Sequence, residues 1–77
     1  MSVSAFVFIE CAMGRAKAAA REIARVPGVK LAHAVTGSYD VIAFVEAADL
    51  EALGTTVVSK VQAVSGVHRT TTNVVVE

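Results

Sequence analysis

A chain of 77 residues and 8.0 kDa fits one small domain and leaves no room for a second. Hydrophobic residues make up 55% of it against 18% charged, with 15 Val and 14 Ala, a composition too apolar for a disordered chain. Seven basic and seven acidic residues cancel to zero net charge, so the chain lacks the overall positive field with which a free-standing nucleic-acid binder neutralises phosphates. The longest charge-free stretches, Met1–Ile9 and Leu31–Tyr39, reach nine residues, about half of the roughly 20 that a membrane-spanning helix needs. The apolar start has no basic residues before it and no signal-peptide cleavage pattern, so it is expected in the mature fold. Cys11 stands alone and cannot close an internal disulfide, which agrees with a reducing compartment and a cytoplasmic protein.

In chain order, Val3–Glu10 is rich in β-branched and aromatic residues and predicts a first strand that ends before Gly14. From Arg15 to Arg25, Ala16, Ala19, Ala20, Ile23 and Ala24 recur at helical spacing, and Pro27-Gly28 stops the helix. A second strand is expected over Val29–Val35. Gly37 then suits the first central position of a two-residue type II′ hairpin, with a third strand over Tyr39–Glu46. Asp49 is placed to cap a second helix whose apolar stripe would be Leu50, Leu53, Val57, Val58, Val61 and Val64. Gly54 and the β-branched Thr55–Val58 run weaken that helix, the glycine by about 1 kcal/mol, so tertiary packing must hold it. Ser65-Gly66 ends it, and His68–Val76 supplies a fourth strand.

The order βαββαβ, with Val26-Pro27-Gly28-Val29 echoed by Val64-Ser65-Gly66-Val67, reads as two interleaved βαβ units. The expected fold is α+β and ferredoxin-like: a four-stranded antiparallel sheet with both helices on one face. A sheet with water on its other face should alternate apolar and polar residues. Here Tyr39, Val41, Ala43 and Val45 alternate with Asp40, Ile42, Phe44 and Glu46, and Val3, Ala5, Val7 and Ile9 with Ser4, Phe6, Phe8 and Glu10. Both faces therefore have an apolar middle. Two helices cannot cover both, and a dimer joined through the open sheet faces is expected.

Val35-Thr36-Gly37-Ser38-Tyr39-Asp40-Val41-Ile42-Ala43-Phe44-Val45, then Asp49-Leu50, then Gly66-Val67-His68-Arg69-Thr70-Thr71-Thr72-Asn73-Val74, resemble the effector (RAM) domain of the Lrp/AsnC transcription regulators over nearly the whole chain. The most specific parts are the Gly-x-Tyr-Asp hairpin and the Gly-Val-x-x-Thr-x-Thr strand. Full-length members carry a helix-turn-helix domain before this region, so the chain resembles the stand-alone RAM proteins. The resemblance implies one amino-acid-binding and oligomerisation domain over residues 1–77, with dimers assembling into octamer-like rings and small amino acids bound between dimers. The lone cysteine, the short apolar stretches and the zero net charge lead to an expectation of no metal, no membrane and no direct nucleic-acid contact; no cofactor is expected, and full-length Lrp/AsnC relatives are candidate partners.

The expected ligand-binding residues are Gly37, Ser38, Tyr39, Asp40, Thr70 and Thr72. Backbone N–H groups of a tight turn can face a carboxylate, with glycine allowing close approach. Asp40 would oppose the α-ammonium group, and the two threonine hydroxyls can donate or accept. Each residue also has a purely structural reading. Gly37 would serve turn geometry, Asp40 an Asx turn, Tyr39 an interface rim, and the threonines strand shape. The competing function is a small dimeric ferredoxin-like enzyme, a cofactor-free monooxygenase or isomerase. It needs a positioned acid or base, and His33 and His68 have no partner at a telling spacing, so no catalytic residue is expected. Phe6, Phe8, Tyr39 and Phe44 lack the basic residues that an RNA-stacking sheet would set among them. An ACT-like amino-acid domain shares the architecture, but the Thr-Gly-Ser-Tyr-Asp hairpin favours RAM.

Overall fold

A computed structural model describes residues 2–77, with only the main chain of Thr56. The elements are β1 (Val3–Cys11), α1 (Ala16–Ala24), β2 (Val29–Ala34), β3 (Val41–Ala47), α2 (Leu50–Ala52), a π-helical stretch (Leu53–Val58), α3 (Ser59–Gln62) and β4 (Val67–Val74). The stretches from α2 to α3 run on as one second helix. The strands form a single antiparallel sheet in the order β2-β3-β1-β4, the expected ferredoxin-like α+β arrangement.

The central pair is β1 and β3, in register from Val3 opposite Ala47 to Ile9 opposite Val41. Because side chains alternate along a strand, Ala5, Val7, Ile9, Val41, Ala43 and Val45 share one face, and all are fully buried. They meet Ala19, Ala20 and Ile23 of α1 and Leu53, Val57 and Val61 of the second helix. The opposite face carries Phe6, Phe8, Ile42 and Phe44, with Leu31 from β2, and no helix covers it. Phe6 and Phe44 pack ring against ring at 4.9 Å, yet Phe6 stays 43% and Leu31 44% exposed.

Asp49 caps the second helix as expected, its Oδ1 accepting from the Ala52 N–H at 2.7 Å. The predicted stripe fails at its first residue, since Leu50 is 62% exposed. Leu50 stands at the first position of the helix, outside the core. The residues that reach the core, Leu53, Val57 and Val61, are spaced by four, between the 3.6-residue α turn and the wider turn of Leu53–Val58. The Ser59 N–H reaches back to Gly54 O, while Thr55 Oγ1 donates to Glu51 O and Ser59 Oγ to Gly54 O. The glycine and β-branched run that weaken an α-helix thus mark where it widens.

The two-residue hairpin is not formed. β2 ends at Ala34 and β3 begins at Val41, so residues 35–40 make a longer loop closed by the Val35 N–H donating to Asp40 O at 2.9 Å. Asp40 is drawn instead to β1, its N–H donating to Ile9 O at 2.9 Å. Tyr39 consequently leaves the alternation and packs on Phe8 at 5.1 Å, on the face opposite Val41. β4 also stops earlier than expected, at Val74, although the Val75 N–H still donates to Ser4 O.

Gly28 and Gly37 both hold left-handed backbone, at φ +96° and +118°. A Cβ at Gly28 would lie 2.9 Å from Glu46 O and 2.6 Å from Val57 Cγ2, whereas at Gly37 it would meet nothing within 4 Å. Gly37→Ala should therefore lose only the left-handed strain, about 1–2 kcal/mol. Gly28→Ala should lose that and a further 1–3 kcal/mol or so from overpacking. Paired thermal melts check this order of stabilities.

Candidate functional site

The residues picked out around the β2–β3 connection are built onto the end of β1. A bulge shifts the β1–β4 register between Glu10 and Cys11; on the other side of β1 the Cys11 N–H follows Ile9 O in facing the Asp40 loop, and Asp40 Oδ2 accepts it at 2.7 Å. Asp40 is half-buried and joined to β1 twice, through its N–H to Ile9 and through its carboxylate to Cys11. The Asx turn is not formed: the carboxylate accepts from the neighbouring strand and not from its own turn. Oδ1 takes part in no hydrogen bond among the described residues. Gly37 and Ser38 are exposed, and none of the N–H groups of residues 36–39 donates to another backbone group. Four N–H groups without a backbone partner thus lie in the chain directly before a carboxylate that has one oxygen free of hydrogen bonds among the described residues.

Thr70 and Thr72 belong to β4, opposite Ile9 and Val7, and both turn to the helix-covered side. Thr70 Oγ1 accepts from Gln62 Nε2 at 2.9 Å, which ties the strand to the second helix. One intervening strand separates them from the Asp40 loop, about 10 Å at the usual spacing. Tyr39 lies on the open face. Within one chain, then, Gly37, Ser38, Tyr39 and Asp40 come together, and Thr70 and Thr72 do not join them. Sequence reasoning missed three partners: Cys11 for Asp40, Phe8 for Tyr39 and Gln62 for Thr70. Only the tertiary fold brings these pairs together.

His33 on β2 and His68 on β4 are exposed on opposite edges of the sheet. No cluster of three or more metal-ligating side chains occurs among the described residues, and no helix among them is long and apolar enough to cross a membrane. A concavity of about 440 Å³ lies at the far end of the sheet, between Val3, Leu50 and Val74–Val76. It touches none of the expected ligand residues.

Residues 4–77 match the Lrp/AsnC ligand binding domain. Over 58 residues the chain is 40% identical to an uncharacterized HTH-type transcriptional regulator of Pyrococcus furiosus, a match that covers 75% of this chain and 39% of the relative. The chain thus spans about two fifths of the length of the curated relatives it matches. Among solved structures it superimposes on TTHA0845 from Thermus thermophilus with a TM-score of 0.88 and 35% identity, covering 97% of this chain and 94% of that one. A transcriptional regulator of Neisseria meningitidis solved with L-Met shares the fold, with a TM-score of 0.82 and 21% identity over 97% of this chain and 50% of that one.

The thiol of Cys11 reports on this corner of the fold. Desolvation raises its pKa first and the Asp40 charge raises it further, against a lowering by Arg15. The folded state therefore keeps its proton where the unfolded chain loses it. The stability due to this group is complete below the ordinary thiol value and is lost as pH rises through the raised one. Asp40→Asn keeps an acceptor for the Cys11 N–H and removes the charge, so alkylation by iodoacetamide at about pH 8 should be faster than in the parent. Equal or slower alkylation would show that the carboxylate does not act on the thiol.

Proposed function

The chain belongs to the Lrp/AsnC ligand-binding family, and from that premise we propose that it is an amino-acid sensor: an oligomeric effector domain that acts in transcriptional regulation without recognising DNA sequence itself. The observation that supports the reading is the loop at residues 36–39, whose N–H groups have no backbone partner and which runs directly into Asp40, a carboxylate with only Oδ2 engaged. The N–H groups take the α-carboxylate of a small amino acid, and Asp40 Oδ1 takes its α-ammonium group. The L-Met bound to the Neisseria meningitidis regulator, on the same fold, is a ligand of this class. Thr70 and Thr72 enter the pocket from a second copy, because they and Tyr39 lie on opposite faces of one sheet. Residues 1–77 thereby act as one binding and oligomerisation domain. Catalysis has no support in the placement of the histidines, which stand on opposite sheet edges.

Oligomerisation begins at the uncovered face. Phe6, Phe8, Ile42, Phe44 and Leu31 form one continuous apolar surface with the Lys30–Glu46 ion pair at its edge, 3.8 Å between Nζ and Oε1. A second copy that lays the same surface on this one removes it from water, and the contact is isologous. Sedimentation equilibrium at micromolar concentration should give at least a dimer, and Phe44→Asp should shift the mass toward the 8.0 kDa monomer. A parent protein that sediments as a monomer excludes this interface.

The ligand is found by a thermal-shift screen of the common amino acids, since a ligand that binds only the folded state raises the melting temperature. With the best of them, calorimetric titration of Asp40→Asn should show roughly tenfold to hundredfold weaker binding, the cost of a lost charge-assisted hydrogen bond of about 1.5–3 kcal/mol. The unliganded melting curve should change little, because asparagine still accepts from Cys11. Unaltered affinity would remove Asp40 from the site, and a blank screen would remove the sensor reading.

A further inference from the structure

The two halves of the chain can be laid on one another by the echo of Val26-Pro27-Gly28-Val29 in Val64-Ser65-Gly66-Val67. In that alignment Ala24, the last residue of α1, corresponds to Gln62, the last residue of α3, while Ala32 and Ala34 of β2 correspond to Thr70 and Thr72 of β4. The structure repeats the correspondence. β2 and β4 are the two edge strands; Ala32 and Ala34 pair with Ala43 and Val41 of β3, and Thr70 and Thr72 with Ile9 and Val7 of β1. All four of these partners are fully buried beneath the helices, so the alanines and the threonines alike belong to the helix-covered face.

The first half thus fills with three alanines the places where the second half sets an amide and two hydroxyls. Packing does not demand the polar set, since the same arrangement of helix end and edge strand closes over alanine. Threonine suits a strand better than alanine does, which would account for Thr70 and Thr72 alone. Glutamine is no better a helix former than alanine, so local propensity does not account for Gln62 or for its bond to Thr70.

That bond decides what Thr70 can offer. Gln62 Nε2 lies 2.9 Å from Thr70 Oγ1. An amide nitrogen has only hydrogens to give, so Gln62 donates and fills a lone pair of the hydroxyl. The Thr70 proton must then point elsewhere, and no acceptor takes it among the described residues. Thr72 Oγ1 makes no hydrogen bond among them either, although both threonines are half-buried. The end of α3 and the edge of β4 therefore form an uncharged ledge with hydroxyl donors to spare.

We propose that Gln62 is a positioning residue for ligand selection: it holds Thr70 as a donor, and the ledge reads the side chain of an amino acid held by the residue 36–40 loop of another copy. The inference rests on the sensor reading above, in which the loop takes the α-carboxylate and Asp40 the α-ammonium group, so that the side chain is what remains for the threonines. A donor facing that side chain calls for an acceptor oxygen, and a ledge without charge suits a neutral one. The ligand class is an amino acid with a carboxamide or hydroxyl side chain. An apolar side chain of the same shape would leave the Thr70 proton desolvated and unpaired.

L-Asparagine and L-leucine test this, because their side chains share one branched shape and differ in the acceptor; L-glutamine and L-methionine form a longer pair. Calorimetric titration of the full chain should show the amide member binding roughly tenfold to hundredfold more tightly. Gln62→Met, which keeps the length of the side chain but cannot donate, should reduce that preference to about threefold or less. Gln62→Glu should do the same, since a carboxylate only accepts and takes the Thr70 proton for itself. In a Thr70→Val background Gln62→Met should change the preference no further, and Thr70→Ser should retain it. Gln62 is exposed, and melting curves check that each variant folds. If Gln62 only ties β4 to the helix, Gln62→Met lowers both affinities together and the preference stays, which overturns the inference; so does a preference kept by Gln62→Glu. A parent that binds amino acids but favours the apolar member of each pair, or binds neither pair, overturns the side-chain class and leaves the sensor reading standing. A screen blank for every amino acid removes the sensor reading and this inference with it.

Discussion

The structure depends on a mismatch between its central strands and the helices available to cover them. β1 and β3 carry apolar residues on both faces: Val7 and Ala43 on one, Phe8 and Ile42 on the other. Two short helices close only the first face, where the strands supply Ala, Val and Ile, and where Ala19 and Ala20 let α1 lie close to the sheet. The aromatic face is left over. Burial of that face stabilises by roughly 25 cal/mol per Å² of apolar surface removed from water. In a chain this small that is a large addition, since a domain of about 60 residues buries only some 60% of its unfolded surface. The Lys30–Glu46 pair and Ser4 edge the same face with polar groups, which restrict the orientation in which another apolar surface can be laid on it.

Asp40 links that scaffold to the proposed site. The backbone of β1 uses one of its oxygens, through Cys11, and the Asp40 N–H closes on Ile9. The loop is thereby held at both ends while its own N–H groups stay unpaired. A carboxylate fixed by one oxygen and free at the other is a better partner for an ammonium group than one that swings, because less rotamer freedom is lost on binding. The charge that favours such a ligand also disfavours the Cys11 thiolate, adding to the desolvation that is the larger cause of the raised thiol pKa. Both effects rest on the position of Cys11 just past the last β1–β3 pair, Ile9 with Val41, where its N–H meets the Asp40 carboxylate in place of a ladder carbonyl.

The fold was legible from local signals. The β-branched and aromatic content of Val3–Glu10 and the helical spacing of Ala16, Ala19, Ala20 and Ile23 are both reinforced by tertiary packing. The connection between β2 and β3 was not legible in the same way. Gly37-Ser38 has the chemistry of a tight hairpin, but Asp40 is captured by a strand some 30 residues earlier in the chain, and no local pattern encodes a bond between Asp40 and Cys11. That capture also sends Tyr39 to the face opposite the one its parity predicts. Leu50 failed for another reason: it is the first residue of the helix, and spacing along a stripe does not say where the core beneath the helix begins. Of the expected site, Gly37 to Asp40 are contiguous in sequence and stay together, while Thr70 and Thr72 depend on register and lie on the other side of β1.

That division bears on how a sensor of this kind would work. If loop and threonines complete one pocket only across two copies, the bound amino acid touches both, and its binding free energy depends on their relative position. Linkage then requires reciprocity: whatever factor the ligand adds to association of the copies, association adds to ligand affinity. A pocket wholly inside one chain would carry no such coupling unless the chain itself changed shape. The core offers little room for that, because Ile9, Ile23, Val41 and Val61 are fully buried and packed against one another. Signalling by change of assembly therefore follows more directly from this architecture than signalling by a change within the subunit. The exposed surfaces, not the core, are where sequence differences between such domains would retune the response.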